Sequence, residues 1–147
     1  HEFTNLSQFV TLSPLPEMCH WVRQQVEKNK LSKMSIALQE TARSLYNSKD
    51  AIGVDCGLLE KLTAWYLLKA KKSNSSPFDY VSRFHLGNGV CLEQINSEAD
   101  PSESRLESSW GVMVNYLYDL SSIEHPHEAF ANLKTIICSE TVQRLLK

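Results

Sequence analysis

Residues 83–96, RFHLGNGVCLEQIN, place one histidine immediately before a Gly-Asn-Gly segment. His85 titrates near neutral pH in its free form, which suits it to giving or taking protons. Gly87 and Gly89 permit positive φ angles and a close approach of the backbone. The stretch alone therefore predicts either a β-hairpin with a structural histidine beside it or a titratable group held at the mouth of a ligand site.

Ser13 lies where a predicted strand, QFVTL, gives way to a predicted helix that begins in the SPLP segment. Ser-Pro is a common helix entry, so we expect Ser13 to cap this helix and Pro14 to occupy its first position. A hydroxyl at a helix N-terminus could also hold an anion or a developing oxyanion. Local sequence favours the capping role, because no GxSxG motif surrounds Ser13.

The segment NYLY puts two tyrosines on one predicted strand. Alternation sends Tyr116 and Tyr118 to one face, and Asn115 and Leu117 to the other. Two tyrosines on one strand face usually pack against a neighbour. A hydroxyl close to His85 would make this face part of a site instead.

Other histidines and the cysteines do not have the spacing of a metal site or a disulfide framework. His20 lies beside Trp21 on a predicted helix, which favours packing or exposure. His125 and His127 flank Pro126 without a further pair of ligands at a known spacing. The four cysteines are far apart and contain no CxxC pair, so reduced thiols are predicted.

Length and composition indicate one globular domain. The chain has 147 residues, 42% of them hydrophobic and 22% charged, which is enough for one core. Its formal net charge is −2, and its densest basic segment is KAKK at 69–72, which argues against nucleic acid or an anionic membrane as the main partner. No segment approaches the roughly 20 apolar residues of a transmembrane helix. No secretory signal is visible at the N-terminus.

The spacing of apolar residues predicts the elements that must position these side chains. Strands are predicted at 8–12, 90–96 and 111–120. Helices are predicted at about 15–27, within 31–48, at about 57–71, from an SPFD capping box at 76–79 to about 83, for one turn after Pro101, and at 126–133 and 139–147. The fold class is α/β (α+β), with a helical cluster inserted between an early strand and a late pair. Because three strands are few and residue 1 is not Met, we expect part of a larger domain.

Six segments, taken in order, resemble malonyl-CoA decarboxylase, specifically the back part of its catalytic domain. They are FVTLSPLP (9–16), AWYLL (64–68), FHLGNGVCLEQIN (84–96), EAD (98–100), GVMVNYLYDL (111–120) and HEAF (127–130). The combination of TLSP-x-P, FHL-x-NG and VNY-x-Y is specific, and the segments cover nearly the whole chain. Residues 1–147 are therefore identified as the C-terminal part of a malonyl-CoA decarboxylase-like catalytic domain.

The resemblance implies a fold related to the GCN5-type N-acetyltransferases, which bind coenzyme A against a mixed sheet. It implies malonyl-CoA as the substrate, which is converted to acetyl-CoA and carbon dioxide without a metal or an organic cofactor. The family's Gly-rich phosphate loop precedes its TLSP motif, so we expect the phosphates of CoA to be held by residues outside these 147. Relatives work in cytoplasm, mitochondrion or peroxisome, so an intracellular location is predicted without a choice among them, and a homo-oligomer stays an option.

The resemblance also implies which residues form the active site. Ser13 of TLSP, His85 of FHL and Tyr118, the second tyrosine of NY-x-Y, are expected to be catalytic, and Asn88 and Asn115 to bind substrate. Loss of carbon dioxide leaves an enolate, which needs charge stabilisation at the thioester oxygen and a proton at the α-carbon. The hypothesis makes His85 the proton donor or oxyanion partner, while Ser13 positions the malonyl group and Tyr118 orients the other two.

Two other functions are compatible with the same residues. One is an acyl-CoA-dependent acyltransferase of the related fold, and the other is a non-catalytic, shortened interaction module. Turnover of malonyl-CoA in the absence of an acceptor separates the decarboxylase from the acyltransferase. Binding of CoA thioesters separates both enzymes from the module.

Overall fold

The computed structural model describes residues 8–48, 51, 53–72, 77–87, 90–119 and 138–147. Within these ranges the chain forms three strands, β1 (Gln8–Pro14), β2 (Cys91–Asn96) and β3 (Met113–Asp119). It also forms six helices, α1 (Met18–Glu27), α2 (Ile36–Tyr46), α3 (Cys56–Lys69), α4 (Tyr80–Gly87), α5 (Glu103–Ser109) and α6 (Glu140–Arg144). The predicted α/β class and the helical cluster between the first strand and the last two are confirmed.

The sheet has the order β1-β3-β2, so β3 is its central strand. Both pairings are antiparallel, and Ser13 lies opposite Val114 while Phe9 lies opposite Tyr118. Parallel pairing occurs at one isolated bridge, between Leu92 and Cys138. The relation to the acetyltransferase fold stays a prediction.

The helices bury their apolar faces against one side of this sheet and against each other. The largest fully buried side chains include Leu15 and Met18 near α1, Tyr66 on α3, and Leu92 and Tyr116 on the sheet. Burial of such side chains is the main favourable term in folding. Among the described residues, none of the helices combines the length and apolar character that crossing a bilayer requires.

Most helix starts have a side-chain cap. Ser35 accepts a hydrogen bond from the backbone N–H of Leu38 at 3.3 Å, and Asp55 accepts one from that of Leu58 at 3.0 Å. Ser139, predicted as a helix start, accepts one from that of Val142 at 3.2 Å. Each cap satisfies a backbone donor that has no partner inside its own helix.

The predicted hairpin at the Gly-Asn-Gly segment is wrong. α4 continues to Gly87, so His85 lies in the last turn of a helix and not at the end of a strand. Glycine after a helical residue serves a helix C-terminus as well as a tight turn, and the local sequence does not separate the two. The strand that follows, β2, pairs with β3.

The predicted capping role of Ser13 is also wrong. β1 continues to Pro14 because its pairing with β3 persists through Ser13 and Pro14, and α1 begins only at Met18, with Glu17 at its N-cap position. Ser13 is therefore a strand residue, and the argument that places its hydroxyl at a helix N-terminus does not hold.

The helix predicted to start at the SPFD capping box begins later than expected. α4 starts at Tyr80, and Asp79 provides the cap, while Pro77 bridges to Lys71 before the helix. Ser76 and the helix predicted at 126–133 lie outside the described residues. The single turn predicted after Pro101 is a helix of seven residues, α5.

Candidate active site

α4 brings His85 onto the face of the sheet that carries Ser13 and Tyr118. Nε2 of His85 lies 3.1 Å from Oγ of Ser13, and Nδ1 lies 2.8 Å from the hydroxyl of Tyr118. The three predicted catalytic residues therefore meet, although β1, α4 and β3 supply one each. We call Ser13, His85 and Tyr118 the His85 cluster.

The sheet register explains why these side chains converge. Ser13 on β1 and Tyr118 on β3 share a face, because Ser13 lies opposite Val114 and side chains alternate along each strand. Tyr116 lies between them on the same face, and its ring stacks on the imidazole of His85 at a centroid distance of 4.3 Å and an angle of 17°. The predicted common face of Tyr116 and Tyr118 is thus confirmed, and Phe9 stacks on the Tyr118 ring at 4.7 Å.

Burial sets the charge state of the imidazole. Ser13 is 5% exposed and His85 is 9% exposed. Removing water from the imidazolium disfavours the charged form, so the pKa of His85 is lowered from its ordinary 6.5. At neutral pH the ring is therefore predominantly neutral.

A neutral imidazole carries one donor and one acceptor nitrogen, which allows two hydrogen-bond directions through the cluster. In one, Tyr118 donates to Nδ1 and the Nε2–H donates to Ser13. In the other, Ser13 donates to Nε2 and the Nδ1–H donates to Tyr118. Both directions give each ring nitrogen and both hydroxyls a hydrogen-bond partner, so the geometry is compatible with either tautomer of His85.

Two neighbours of the cluster were not among the predicted catalytic or substrate-binding residues. Oγ1 of Thr11 lies 3.1 Å from Oγ of Ser13, and the Tyr116 ring packs on His85. Burial is the main cause that raises the pKa of Tyr116, which keeps its hydroxyl protonated. The alternation of side chains along a strand could have identified both residues, because Thr11 and Tyr116 each stand two positions from a predicted catalytic residue on the same strand.

Asn115 is not brought to the His85 cluster. Its amide Nδ2 donates to the carbonyl of Thr11 at 3.0 Å, and its Oδ1 accepts from Nδ2 of Asn96 at 2.9 Å. These bonds tie the three strands together on the face opposite Tyr116. Its role in substrate binding stays a prediction, and Asn88 lies outside the described residues.

The described residues contain no group of three or more His, Cys, Asp and Glu side chains positioned to hold a metal ion. All four cysteines are free thiols. The imidazole and the two hydroxyls of the His85 cluster can donate and accept protons in hydrogen bonds.

Comparison with solved structures places this fold beside two bacterial proteins. The crystal structure of malonyl-CoA decarboxylase from Rhodopseudomonas palustris matches with a TM-score of 0.84 and 34% identity, over 98% of this chain and 34% of that one. The crystal structure of malonyl-CoA decarboxylase from Cupriavidus metallidurans matches with a TM-score of 0.79 and 29% identity, over 99% of this chain and 40% of that one.

Comparison of sequences gives the same result. The mitochondrial malonyl-CoA decarboxylase of Rattus norvegicus is 30% identical over 168 aligned positions, which cover 99% of this chain and 34% of that protein. The chain thus spans about a third of the length of this relative. The sequence model described as the malonyl-CoA decarboxylase C-terminal domain matches residues 1–147. The chain belongs to the malonyl-CoA decarboxylase C-terminal domain family.

Proposed function

We propose that this chain carries the proton-transfer residues of a malonyl-CoA decarboxylase, which converts malonyl-CoA to acetyl-CoA and carbon dioxide. Family membership supports the proposed reaction, and the geometry of the His85 cluster supports the proposal that this cluster is the active site. The observation that carries the proposal is that both ring nitrogens of His85 are hydrogen-bonded, Nε2 with Ser13 and Nδ1 with Tyr118.

The reaction needs one bond broken and one proton added. The bond between the α-carbon and the carboxylate breaks, and its electron pair forms the enolate of the acetyl thioester while carbon dioxide leaves. The α-carbon then takes a proton, which the enzyme recovers from solvent. Stabilising the enolate oxygen and delivering this proton are the two tasks of the site.

The geometry favours a division of these tasks. Tyr118 occupies Nδ1 and holds the ring orientation, so the Nε2–Ser13 edge of His85 is assigned to the substrate. His85 donates the proton or hydrogen-bonds the enolate oxygen, and Ser13 positions the malonyl carboxylate or the thioester. Because burial lowers the pKa of His85, its protonated form is a stronger acid than free imidazolium. Coenzyme A is part of the substrate, and the proposed steps use no metal or organic cofactor.

Turnover without an acceptor tests the proposal. The full-length protein, which includes the residues expected to hold the phosphates of CoA, is incubated with malonyl-CoA alone, and acetyl-CoA and carbon dioxide are quantified. We expect decarboxylation, and we expect His85→Ala to lower turnover by at least about 100-fold, the contribution typical of a proton-transferring group. Binding of CoA by calorimetry should be unchanged in this variant.

The matched control is His20→Ala, because His20 is exposed on α1. This variant should keep wild-type turnover. Unchanged turnover in His85→Ala contradicts the proposal. Product formation only when an acyl acceptor is added would indicate an acyltransferase. Absence of both turnover and malonyl-CoA binding would indicate an interaction module.

A further inference from the structure

The N-terminus of α4 contains a buried carboxylate. Asp79 is 1% exposed. Its Oδ1 accepts from the backbone N–H groups of Val81 at 3.0 Å and Ser82 at 3.1 Å, and its Oδ2 accepts from the hydroxyl of Tyr66 at 2.9 Å. Within the part of the chain that the structure describes, the two ion pairs that form do not include Asp79. We call Asp79 and Tyr66 together the Asp79 cap.

Burying this carboxylate has a free-energy cost that capping alone does not require. Burial raises the pKa of Asp79, and the carboxylate of Glu17, which accepts from the N–H of Tyr80 at 3.0 Å, adds to this shift. The caps of α2 and α3, Ser35 and Asp55, are exposed and satisfy their helices without that cost. The buried cap of α4 therefore does more than complete hydrogen bonds at a helix end.

α4 is a short helix, and it carries His85. It has eight residues, and helices of this length do not hold their geometry without tertiary contacts. His85 lies in its last turn, so the location of the imidazole depends on where the helix begins and how it is tilted. A fixed N-terminus is therefore a requirement for a fixed His85.

Tyr66 supplies a rigid attachment point. It lies within α3, is 1% exposed, and packs against the rings of Trp21 at 5.2 Å and Phe78 at 6.1 Å between centroids. A phenol held in this way has little freedom to follow a moving partner. Its bond to Asp79 thus couples the start of α4 to the last turn of α3.

The space between the cap and His85 is filled by buried side chains. Ser82 and Tyr116 are both fully buried, and Ser82 stands one helical turn before His85. Neither hydroxyl completes a hydrogen bond of standard geometry within the described residues, although Ser82 is near enough to oppose the rise in the pKa of Tyr116. Because the Tyr116 ring also stacks on His85, packing is continuous from one end of α4 to the other.

We propose that Asp79 and Tyr66 are positioning residues: the hydrogen bond between them fixes the start and tilt of α4, so that Nε2 and Nδ1 of His85 meet Ser13 and Tyr118. The catalytic consequence rests on the proposed function. The effect on the position of His85 does not rest on the proposed function, and it can be measured on His85 directly.

The kinetic test uses four variants of the intact chain. We expect Asp79→Ala to lower kcat for malonyl-CoA by at least about 10-fold, with a smaller change in KM, because a catalytic group displaced by about 1 Å can cost up to about 100-fold. Tyr66→Phe, which keeps the ring packing, should lower kcat in the same direction. Asp79→Asn should restore most of kcat, because Asn is an equally good cap and its side chain can still bond the phenol.

Asp55→Ala is the matched control, since it removes an aspartate cap of the same kind from α3. It should leave kcat within about 2-fold of wild type, because an exposed cap contributes only modestly to the stability of its own helix. A loss of kcat in Asp55→Ala equal to that in Asp79→Ala would overturn the proposal.

The positional test is an NMR titration of the His85 ring nitrogens in the same proteins. Asp79→Ala and Tyr66→Phe should move the pKa of His85 towards its ordinary value and change the populations of its two tautomers, while Asp55→Ala changes neither. Wild-type His85 signals in both cap variants would overturn the proposal. If Asp79→Ala does not fold, Tyr66→Phe decides alone. If wild-type protein fails to turn over malonyl-CoA, the proposed function fails and the titration still decides the positioning.

Discussion

The two ends of α4 carry hydrogen-bonded clusters of opposite character. In the Asp79 cap, one carboxylate accepts from two backbone N–H groups and from a phenol whose pKa is raised by burial, so its donors retain their protons. In the His85 cluster, the imidazole and both hydroxyls can each donate or accept. In the functions proposed above, one end of the helix holds an orientation and the other end transfers a proton.

This difference predicts that variants at the two ends fail in different ways. A change in the His85 cluster should lower turnover directly and leave folding stability nearly intact. A change in the Asp79 cap should lower turnover only through the position of His85. The experiments below measure turnover, stability or both, and a variant that does not follow this division contradicts the comparison.

The largest effect expected within the comparison is that of Ser13→Ala. Removing the hydroxyl takes away the partner of Nε2 and the group that positions the substrate, so kcat/KM should fall by about 100-fold or more. The free energy of unfolding should change by no more than about 1.5 kcal/mol, the net worth of one neutral hydrogen bond. Steady-state kinetics and urea titration measure the two effects.

Thr11→Val is the control for Ser13→Ala. The Thr11 hydroxyl contacts Oγ of Ser13 at 3.1 Å and makes no hydrogen bond to His85. Its removal should lower kcat/KM by at most about 5-fold, which corresponds to about 1 kcal/mol. An equal loss in the two variants would mean that the strand face as a whole, and not the Ser13–His85 contact, supports turnover.

The sequence predicted the His85 cluster, at the C-terminal end of α4, better than the Asp79 cap at its N-terminal end. Ser13, His85 and Tyr118 follow from their motifs, and strand alternation places Tyr116 beside Tyr118. The error lay in the element that carries His85, because glycines after a histidine fit both a hairpin and a helix C-terminus. Pairing between strands distant in sequence decided that Ser13 is a strand residue, and local capping preference could not reveal it.

The Asp79 cap was beyond sequence analysis for a different reason. SPFD matches a capping box, so Ser76 was expected to be the N-cap and Asp79 the residue three positions after it. Its burial depends on Tyr66, a residue of another helix whose apolar spacing predicts only packing. A pair formed by tertiary contact leaves no local pattern, so positioning residues are harder to find than the catalytic ones that they hold.

A smaller effect is expected from Tyr118→Phe. The ring and its stacking on Phe9 remain, and Nδ1 of His85 loses its partner. We expect kcat to fall by about 10-fold, because one hydrogen bond to a group that becomes charged is worth about 1.5 kcal/mol. Steady-state kinetics with malonyl-CoA measures this loss.

Tyr116→Phe is the matched control for Tyr118→Phe. It keeps the ring that stacks on His85 and removes a buried hydroxyl that has no hydrogen-bond partner in the described residues. Turnover should stay within about 2-fold and stability should be equal or higher, because an unpaired buried hydroxyl does not favour the folded state. Equal losses of kcat in the two variants would show that ring packing matters and that the bond to Nδ1 does not.

The smallest effect concerns the response of stability to pH, which should have opposite signs at the two ends of α4. The pKa of His85 in the folded state lies below 6.5, so the unfolded chain binds more protons as the pH falls through this window, and stability is lost. The pKa of Asp79 in the folded state lies above 3.8, so the folded chain binds more protons between these values. The contribution of Asp79 to stability is therefore lost as the pH rises through its window.

Urea titrations across the pH range measure both signs as differences from wild type, which cancels the other titrating groups. Between about pH 7.5 and about pH 5, wild-type protein should lose more stability than His85→Asn, which cannot bind the extra proton. From about pH 4 towards neutrality, Asp79→Asn should become steadily more stable relative to wild type, because it keeps the cap and carries no buried charge. Parallel pH curves for wild type and either variant would show that the corresponding group titrates alike in the folded and unfolded chains. Folding would then not shift the pKa of that residue, and the proposed electrostatic difference between the two ends of α4 would not hold there.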